Sequence, residues 1–537
     1  MMGIDREATL GDLCKSAALR WPERTVLTFD ETGAELTFKD LEIQTNQLAC
    51  TLLKLGTQQG DRIAVIAGNR PIFPIGWIAI GKAGAAMVPV NPGYRDTDAL
   101  HLLKHADVSI VIVDGDRLEL IRRVREQVPS IQHVIVAQVD GSMATALNPT
   151  EYYWPQITQA NPETPVDCAV TADMLANVQF TSGTTGMPKG CMLSHRYWTH
   201  LGQLIAQEIV GLDTGDVLLT AQPFSYIDPQ WNLAAALASG AKLVVLERFR
   251  PSIFWSKVVA YKTSFFYCLG AMPTMLLSQE EKASDRIHNL RVVMCSGIPK
   301  DKHEILEKRF GVTWREVFGT TETGADLLVS AESAVSLCGS GSIGNALSHR
   351  EVRIGDDQCQ PVPRNSTGEL LIRGTAMMDG YFRNAEATQA AFLNGWYHTG
   401  DLAVMNEIGQ VSIVGRKKDM IRRSGENIAA SEVESVIEMH PSVLMAAVIA
   451  VPDTLRGEEV KAFVVSRAEA GTGDLNFEEL AEFVERRLAK FKVPRYWEQR
   501  LDLPRTPSER VAKQLLVESN GCITGFDRLE ESSTLVK

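Results

Sequence analysis

The chain has 537 residues, of which 45% are hydrophobic and 22% charged, and this balance excludes a disordered or fibrous protein. A formal net charge of -12 argues against a nucleic-acid binder, because affinity for nucleic acid comes mainly from clustered Lys and Arg. Since single hydrophobic cores stop growing at roughly 250 to 300 residues, the length predicts two to four domain-sized units.

Several features favour a cytoplasmic protein. Residues 1–32 carry charges throughout and no uninterrupted apolar run, so they predict no secretory signal. The most apolar stretch, residues 71–90, contains Lys82, three prolines and three glycines; we expect a buried helix followed by a strand, not a transmembrane segment. The nine cysteines are scattered singly, with no CxxC pair and no clustered His to complete a zinc site, which fits a reducing compartment.

Along the chain, short Val- and Ile-rich runs first alternate with longer amphipathic stretches. The runs are residues 62–67, 108–113, 134–137, 242–246 and 291–294. This alternation predicts parallel sheets covered by helices. Beyond Gly344 the runs are shorter and separated by turn residues, as in 352–355, 368–374 and 402–415. That part predicts antiparallel strands in a small barrel.

The pattern changes again after Gly415. A basic cluster at 416–419 and a hairpin-like stretch come first, then a predicted helix over 431–439, two strands, and a predicted helix over 477–491. We therefore predict two domains, residues 1–417 and 418–537, with the boundary at Lys418.

The first stretch suited to chemistry is residues 181–190, directly after the apolar run 176–180. It reads Thr181-Ser182-Gly183-Thr184-Thr185-Gly186-Met187-Pro188-Lys189-Gly190. Glycines expose backbone N–H groups, hydroxyls add donors and Lys189 adds a cation, a combination that suits polyphosphate oxygens. The stretch is not a Walker loop, which ends in Gly-Lys-Ser/Thr. The competing interpretation is a flexible surface loop.

The second stretch, residues 317–324, follows a probable strand and contains Phe318-Gly319-Thr320-Thr321-Glu322. Phe318 is suited to stacking on a base and Thr321 to bonding a phosphate. Glu322 is suited to holding magnesium, which prefers carboxylate and phosphate oxygens. Taken alone, the stretch is equally well a polar turn.

The third stretch, residues 396–401, ends in His398-Thr399-Gly400-Asp401 and is followed by Arg416 after a turn. An Asp after a glycine turn at a strand end can accept hydrogen bonds from ribose hydroxyls. The alternative for Asp401 is a cap of a helix or turn. His398 is assigned no role.

In this order and at these separations, the three stretches resemble the adenylate-forming superfamily, which includes acyl-CoA synthetases, firefly luciferase and peptide-synthetase adenylation domains. The resemblance covers nearly the whole chain. Further matching segments are residues 37–41, 87–92, 296–299, 341–344, 368–370, 424–428 and 503–506.

The resemblance implies an α/β fold. A large N-terminal domain would contain two helix-covered, mostly parallel sheets and a small β-barrel, joined at Lys418 to a smaller, mobile α+β C-terminal domain. The implied reaction is ATP-dependent: a carboxylic acid becomes its acyl-adenylate with release of pyrophosphate, and the acyl group then passes to the thiol of coenzyme A. A closed site that excludes water would protect the hydrolysis-prone adenylate.

The resemblance also assigns residues to roles. Magnesium would bind to Glu322 and Thr184, and ATP and coenzyme A would be bound by Thr181, Ser182, Gly183, Thr184, Thr185, Gly186, Lys189, Gly297, Phe318, Gly319, Thr320, Thr321, Asp401, Arg416, Lys418, Ser424, Gly425 and Glu426. Lys189, Thr184 and Glu322 would act on the phosphates, and rotation about Lys418 would bring residues 424–426 to the thiol channel.

The first departure from the family pattern concerns its C-terminal lysine. That lysine normally lies in Pro-Lys-Thr-x-x-Gly-Lys, whereas residues 504–513 place Arg510 at the strict spacing and Lys513 shortly after. The two cations are not interchangeable. We predict Lys513 as the catalytic cation, with Arg510 as the alternative.

The second departure lies in residues 222–228, which usually border the acyl pocket. Many relatives place a His after Pro-x-Phe, and Ser225 here indicates an altered gate or acid preference, unless it simply packs. Asp228-Pro229-Gln230 and residues 248–255 are similar to crotonobetaine/carnitine-CoA ligases. An anionic Asp228 would favour a quaternary ammonium, although Asp in such a position is more often a turn former.

Two other hypotheses stay open. The thiol could belong to a carrier protein instead of free coenzyme A, or the chain could bind nucleotide without turnover, as a regulatory homologue. The sequence does not identify the acid, and a homodimer is left open. We expect no nucleic-acid partner.

Overall fold

The computed structural model describes residues 7–137, 147–159, 161–181, 188–424, 426–467, 475–505, 511–518 and 525–528. Its helices are α1 (Leu10–Arg20), α2 (Phe38–Lys54), α3 (Ile72–Lys82), α4 (Asp96–Ala106), α5 (Leu118–Arg125), α6 (Trp154–Gln159), α7 (His195–Leu204), α8 (Ile227–Ser239), α9 (Pro251–Ala260), α10 (Met272–Leu277), α11 (Lys300–Phe310), α12 (Ala334–Leu337), α13 (Ala385–Ala391), α14 (Ala430–Glu438), α15 (Phe477–Glu485) and α16 (Lys513–Glu518).

The strands of the N-terminal part are β1 (Thr25–Phe29), β2 (Glu35–Thr37), β3 (Arg62–Ile66), β4 (Ala86–Val90), β5 (Ile110–Asp114), β6 (His133–Ala137), β7 (Glu151–Tyr153), β8 (Leu175–Thr181), β9 (Lys189–Ser194), β10 (Val217–Thr220), β11 (Lys242–Val245), β12 (Phe265–Leu269), β13 (Val292–Ser296), β14 (Trp314–Phe318), β15 (Leu327–Leu328), β16 (Ser342–Ala346), β17 (Arg350–Gly355), β18 (Thr367–Gly374), β19 (Phe392–Leu393), β20 (Trp396–Met405) and β21 (Val411–Arg416). Those of the C-terminal part are β22 (Met420–Arg423), β23 (Glu426–Ala429), β24 (Val443–Asp453), β25 (Gly457–Ser466), β26 (Tyr496–Arg500) and β27 (Phe526–Asp527).

Local sequence signals account for where several elements begin. Helix α2 starts at a capping box, in which the Thr37 hydroxyl accepts the backbone N–H of Asp40 at 3.0 Å and the Asp40 carboxylate accepts that of Thr37 at 3.0 Å. The apolar stretch 71–90 forms α3 followed by β4, as predicted.

Two mostly parallel sheets form the larger part of the fold. One has the order β7-β6-β5-β3-β4-β8-β9, with only the β8–β9 pair antiparallel. The other runs β14-β13-β12-β10-β11-β1-β2, with only β1–β2 antiparallel. The predicted strands at 62–67, 108–113, 134–137, 242–246 and 291–294 are confirmed as β3, β5, β6, β11 and β13.

Helices cover both sheets in layers. Side chains of both sheets share one core with α1, α2, α3, α7 and α8. Helices α4 and α5 pack on the outer face of the first sheet, and α9, α10 and α11 pack on that of the second. Strands buried on both faces explain the nearly continuous apolar runs in the sequence.

The second sheet continues through β15 into antiparallel strands in the order β16-β21-β20-β18-β17. These are the strands predicted beyond Gly344. The turn between β20 and β21 is closed by the N–H of Asn406, which donates to the carbonyl of Gln410 at 2.9 Å.

The C-terminal sheet has the order β23-β22-β25-β26-β27, with β24 also paired to β25. Helices α14 and α15 pack on one face, and Leu516 of α16 lies on the other. The last strand of the preceding sheet ends at Arg416 and the first strand of this one begins at Met420. The predicted boundary at Lys418 lies between them.

One predicted helix is too long. Residues 477–491 were expected to form a single helix, but α15 ends at Glu485 and a separate turn of 3-10 helix covers Lys490–Lys492. Ala489 has a non-helical backbone (φ -57, ψ 141) and separates the end of α15 from this 3-10 turn.

Among the described residues, no helix combines the length and the apolar character that crossing a bilayer requires.

Candidate nucleotide and acyl site

The predicted phosphate loop connects two adjacent strands. Thr181 ends β8 and Lys189 begins β9, and the two residues pair across the antiparallel ladder. Their contact includes a distance of 3.4 Å between the Thr181 hydroxyl and the Lys189 carbonyl. The loop residues themselves lie outside the described part of the chain: Ser182, Gly183, Thr184, Thr185 and Gly186.

Tyr381 joins the base of this loop to Glu322. The Lys189 ammonium lies 5.1 Å from the centroid of the Tyr381 ring, and the Tyr381 hydroxyl donates to Glu322 Oε1 at 2.9 Å. The backbone is tied as well, since Met378 N–H donates to the Glu322 carbonyl at 2.8 Å. Burial, and then the charge of Glu322, raises the pKa of Tyr381 well above its usual range, so the phenol stays a donor. The first two predicted stretches therefore meet at one place.

The turn after β14 is compact and needs glycine at its first position. A Cβ at Gly319 would lie 1.8 Å from the carbonyl oxygen of Gly324, so no other residue fits there. The N–H of Gly324 donates to the Thr320 carbonyl at 2.8 Å. The hydroxyls of Thr320 and Thr323 lie 2.9 Å apart. These bonds hold the intervening Thr321 and Glu322 in a closed turn.

A buried ion pair supports the same turn. Arg350 and Asp326, whose side chains are 1% and 0% exposed, are joined by a bond of 2.7 Å, and the Arg350 guanidinium also donates to the Thr323 carbonyl. From α7, the Tyr197 hydroxyl donates to the Thr321 carbonyl at 3.1 Å. The turn is thus held by Arg350, Asp326 and Tyr197, which the sequence analysis did not identify.

Gly297 and Phe318 lie on neighbouring strand ends. Cys295 and Glu316 are partners in the parallel ladder between β13 and β14. Two residues further along, Gly297 directly follows β13 and Phe318 ends β14. The Glu316 carboxylate accepts the N–H groups of Gly297, at 3.0 Å, and of Ile298. Burial raises the pKa of Glu316 to about 7, although these two bonds act in the opposite direction. Phe318, which is predicted to stack on a base, therefore lies on the strand next to the one that Gly297 follows.

Asp401 and Arg416 face each other across β20 and β21. They are ladder partners, and Arg416 Nε donates to Asp401 Oδ1 at 2.7 Å. The Asp401 side chain is 5% exposed, whereas that of Arg416 is 37% exposed. We call this pair the Asp401–Arg416 clamp.

Lys513 forms an ion pair with a carboxylate of α14. Its ammonium is 2.6 Å from Glu434 Oε1. The pKa of Lys418 is lowered, chiefly by burial and in part by the charges of Arg416 and Lys513, against the opposing effect of Asp401. Arg510 lies outside the described residues.

Ser424 and Glu426 belong to the hairpin between β22 and β23, and Gly425 between them lies outside the described residues. The described contacts of these two residues are with the C-terminal sheet: Ser424 N–H donates to the Arg456 carbonyl at 2.9 Å, and Glu426 pairs with Arg423.

A small cavity lies beside the nucleotide residues. Its lining is mainly apolar and aromatic: Ile205, Ile209, Trp231, Asn232, Phe265, Tyr267, Met294 and Val317. Ile205 and Ile209 belong to a π-helical turn that extends α7, a feature frequent at functional sites. The Tyr267 hydroxyl donates to the hydroxyl of Ser296 at 2.6 Å, the residue before Gly297. The cavity therefore lies beside the strand ends that carry Gly297 and Phe318.

Asp228 lies behind the wall of this cavity. It is 3% exposed, and its carboxylate accepts hydrogen bonds from Trp231 Nε1 at 2.6 Å, Asn232 Nδ2 at 3.1 Å and Thr220 Oγ1 at 2.9 Å. Burial raises its pKa to about 6, against the effect of these bonds. No Lys or Arg of the described residues forms an ion pair with it. Ser225 is also buried, and its carbonyl accepts Gln179 Nε2 at 2.8 Å.

Comparison with known proteins identifies the family. The sequence model of the AMP-binding enzyme family matches residues 14–382, and that of the AMP-binding enzyme C-terminal domain family matches residues 432–510. The chain belongs to the AMP-binding enzymes. As expected from its motifs, it is an acyl-CoA synthetase of the adenylate-forming superfamily, an acid–thiol ligase that forms an acyl-adenylate. ATP and coenzyme A are the substrates of such ligases.

Relatives of this AMP-binding enzyme extend over almost all of its length. A crotonobetaine/carnitine–CoA ligase of Salmonella paratyphi B is 30% identical over 504 residues, covering 92% of this chain and 96% of the relative. The structure of ATP-bound MatB from Rhodopseudomonas palustris has a TM-score of 0.83 at 25% identity, covering 95% and 99% of the two chains. The anthranilate CoA ligase AuaEII with anthranoyl-AMP has a TM-score of 0.85 at 21% identity over 96% and 97%, a likeness of fold.

Within the described residues, the AMP-binding enzyme contains one further group of metal-type ligands, which the sequence analysis missed. Atoms of His303, Glu307 and Cys338 lie within 4.8 Å of one another. Both ring nitrogens of His303 already have partners: Nε2 is 2.9 Å from the Trp314 carbonyl, and Nδ1 accepts the Gly339 N–H at 3.2 Å. The group thus ties α11 to β14 and to the loop after α12.

Proposed function

We propose that this ligase acts on a carboxylic acid that carries a permanent positive charge, such as a quaternary ammonium group, and converts it to the coenzyme A thioester in the cytoplasm. The observation that carries the proposal is Asp228. Two of the residues that bond its carboxylate, Trp231 and Asn232, also line the small cavity, where we expect the acyl group to enter.

A cationic acid would resolve an electrostatic problem in the free enzyme. An ionised carboxylate without a counter-charge is costly to bury, and the raised pKa of Asp228 reflects that cost. A quaternary ammonium in the cavity would supply the missing charge without needing a hydrogen-bond acceptor. The rings of Trp231 and Tyr267 are perpendicular, with their centroids 4.8 Å apart. They would add cation–π attraction.

The curated relative supports this substrate class, because its name specifies betaine acids. The lining of the cavity supports it further, since none of the residues that form it is charged.

In the first step we expect a carboxylate oxygen to attack the α-phosphorus of ATP while the bond to pyrophosphate breaks. Gly297 and Phe318 would hold the adenine, and the Asp401–Arg416 clamp the ribose. Lys189 and Thr321 would bind phosphate oxygens, with the loop Thr181–Gly186 around them. These groups act by positioning and by neutralising charge.

Magnesium fits the donor set at Glu322. One oxygen of this carboxylate accepts a hydrogen bond from the neutral phenol of Tyr381, and the carboxylate lies near the base of the phosphate loop. Magnesium is usually bound by one or two carboxylates together with substrate phosphates. Glu322, with Thr184, would hold the ion, which supplies neutralisation of phosphate charge when bound.

For the second step we propose a rotation of domain 418–537 against domain 1–417 about Lys418. Lys513 would serve adenylate formation. Ser424, Gly425 and Glu426 would then line the path of the thiol, whose sulfur attacks the acyl carbon as AMP leaves.

The test compares trimethylammonio-butanoate with the neutral acid in which carbon replaces its nitrogen, by release of pyrophosphate and AMP in the presence of coenzyme A. We expect kcat/KM to favour the cation by about 30-fold or more, a difference of roughly 2 kcal/mol. Asp228→Asn should remove most of that preference. The control is Asp30→Asn, which changes a carboxylate bonded to Lys257 and Tyr261. Equal use of the two acids by the unmodified enzyme would refute the proposal.

A further inference from the structure

We propose that Glu369 is a positioning residue for the ribose, acting through the Asp401–Arg416 clamp; this inference rests on the ribose-binding role proposed above for the clamp. Glu369 lies on β18, in a Gly-Glu-Leu segment to which the sequence analysis assigned no chemistry. Its side chain is 6% exposed.

The strand that carries Asp401 leaves its ladder with β18 just where the clamp is built, while Asp401 stays paired with Arg416 of β21. On β18, Glu369 and Leu371 pair with Leu402 and His398 of β20. Leu370 of β18 therefore faces three residues of β20: Thr399, Gly400 and Asp401. Such a bulge loses its ladder hydrogen bonds, so other groups have to fix the direction of the Asp401 side chain.

Glu369 and its neighbour provide the replacement bonds. Glu369 Oε1 accepts the N–H of Gly400 at 3.0 Å, and the Leu370 carbonyl accepts the Thr399 hydroxyl at 2.8 Å. That hydroxyl in turn accepts the N–H of Asp401 at 3.0 Å. Gly400 has the left-handed φ of 72° that the turn requires.

The second oxygen of Glu369 contacts the residue that follows Arg416 in the chain. Oε2 lies 3.3 Å from the ammonium of Lys417, the residue between Arg416 and the boundary residue Lys418. One buried carboxylate therefore contacts the residue before Asp401 and the residue after Arg416. It is placed to fix the separation of the two clamp residues.

His398 keeps Glu369 in this orientation. Its Nδ1 is 3.0 Å from Glu369 Oε2, and its Nε2 is 3.3 Å from the sulfur of Cys359. The imidazole is thus held between two buried groups. This gives His398 a supporting role that its sequence context did not reveal.

The experiment measures binding of ATP, and of ATP analogues that each lack one ribose hydroxyl, to the full-length enzyme by calorimetry without acid present. We expect Glu369→Ala to weaken ATP binding about tenfold, the loss of roughly one charged hydrogen bond, and to reduce discrimination against the analogues. Glu369→Gln keeps an acceptor for Gly400 but loses the acceptor for Lys417, so we expect a partial rescue, to within about threefold of the unmodified enzyme. Such a rescue, together with changed analogue discrimination, would not result from a general loss of structure.

A second variant covers the case in which Glu369→Ala does not fold. Glu369→Asp keeps a buried carboxylate, but its shorter side chain cannot contact both Gly400 and Lys417, so weaker ATP binding and reduced discrimination are expected again. The matched control is Glu351→Ala on β17, whose carboxylate pairs with exposed Arg373 and should leave binding unchanged.

Asp401→Ala separates the two proposals. If it leaves discrimination between ATP and the analogues intact, the ribose-binding role of the clamp is wrong. If it removes that discrimination while Glu369→Asp and Glu369→Ala keep the value of the unmodified enzyme, the clamp stands and the positioning role of Glu369 is overturned.

Discussion

The hydroxyl of Tyr381 donates a 2.9 Å hydrogen bond to Glu322, and the ring of the same tyrosine lies against the ammonium of Lys189. A single side chain therefore sets the position of an acidic and a basic group that come from separate motifs. Phosphoryl chemistry depends on the placement of such charges, because they act by electrostatic preorganisation.

We predict that Tyr381→Phe lowers kcat/KM for ATP in pyrophosphate release by roughly 10- to 100-fold, because a hydrogen bond to a charged group contributes about 1.5 to 3 kcal/mol. The phenyl ring keeps its packing against Lys189 but no longer orients Glu322. The concentration of magnesium that gives half-maximal rate should rise as well. Steady-state kinetics over a magnesium series measures both effects.

The matched control is Tyr261→Phe. Tyr261 donates a similar bond of 2.7 Å to Asp30, outside the predicted motifs, and its loss should leave both kinetic quantities unchanged. If Tyr381→Phe behaved like this control, Glu322 would not depend on the phenol.

The sequence predicted those parts of the fold whose signal is local. Runs of Val and Ile gave β3, β5, β6, β11 and β13 because these strands are buried on both faces. Their ends shifted by one or two residues, since ladder bonds, not composition, decide where pairing stops. The break in the helix at Ala489 was missed because no Gly or Pro marks it.

The motifs of the candidate site can be recognised in the sequence, whereas the residues that support them cannot. Thr181, Lys189, Phe318 and Glu322 stand in recognisable strings. Tyr381 joins two of those strings by contacts between residues far apart along the chain, which no local pattern encodes. The same holds for the buried Arg350 beneath the Thr323 turn.

The pH dependence of acid selectivity should report the ionisation of Asp228. With its pKa raised to about 6 by burial, the carboxyl is neutral below that pH and anionic above it. The kcat/KM ratio of trimethylammonio-butanoate to its neutral analogue should therefore rise as pH increases through about 6, because kcat/KM follows ionisations of the free enzyme. Taking the ratio cancels ionisations that affect both acids. In Asp228→Asn the ratio should be flat, and a slope that persists there would assign the effect to another group.

Lys513→Ala should lower the rate of adenylate formation by about 100- to 1000-fold, the scale for removal of one preorganised charge stabiliser. Thioester formation from purified acyl-adenylate should change little, which separates the two steps. Lys492→Ala is the control, because its ammonium also pairs with a glutamate of α14, Glu432, at 2.7 Å. Loss of adenylate formation in Arg510→Ala with none in Lys513→Ala would reverse our assignment.

Glu438, at the end of α14, links stability to pH. Burial, and to a smaller extent Glu434 and Asp301, raises its pKa from 4.5 to about 7, while the N–H of Ala446 and the charge of Lys302 act in the opposite direction. Because the folded-state pKa is the higher one, the stabilising contribution of protonated Glu438 is full below 4.5 and is lost as pH rises to about 7.

Glu438→Gln keeps an oxygen for the Ala446 N–H, which is 3.0 Å away, and has no proton to lose. Relative to the unmodified enzyme, we expect it to gain about 1 to 3 kcal/mol of unfolding free energy between about pH 5 and about pH 8. Denaturant unfolding at both pH values measures the gain. Glu482→Gln, which alters an exposed carboxylate paired with Arg486, should show no such difference. A Glu438→Gln enzyme whose stability follows that of the unmodified protein at both pH values would show that Glu438 ionises freely in the folded state.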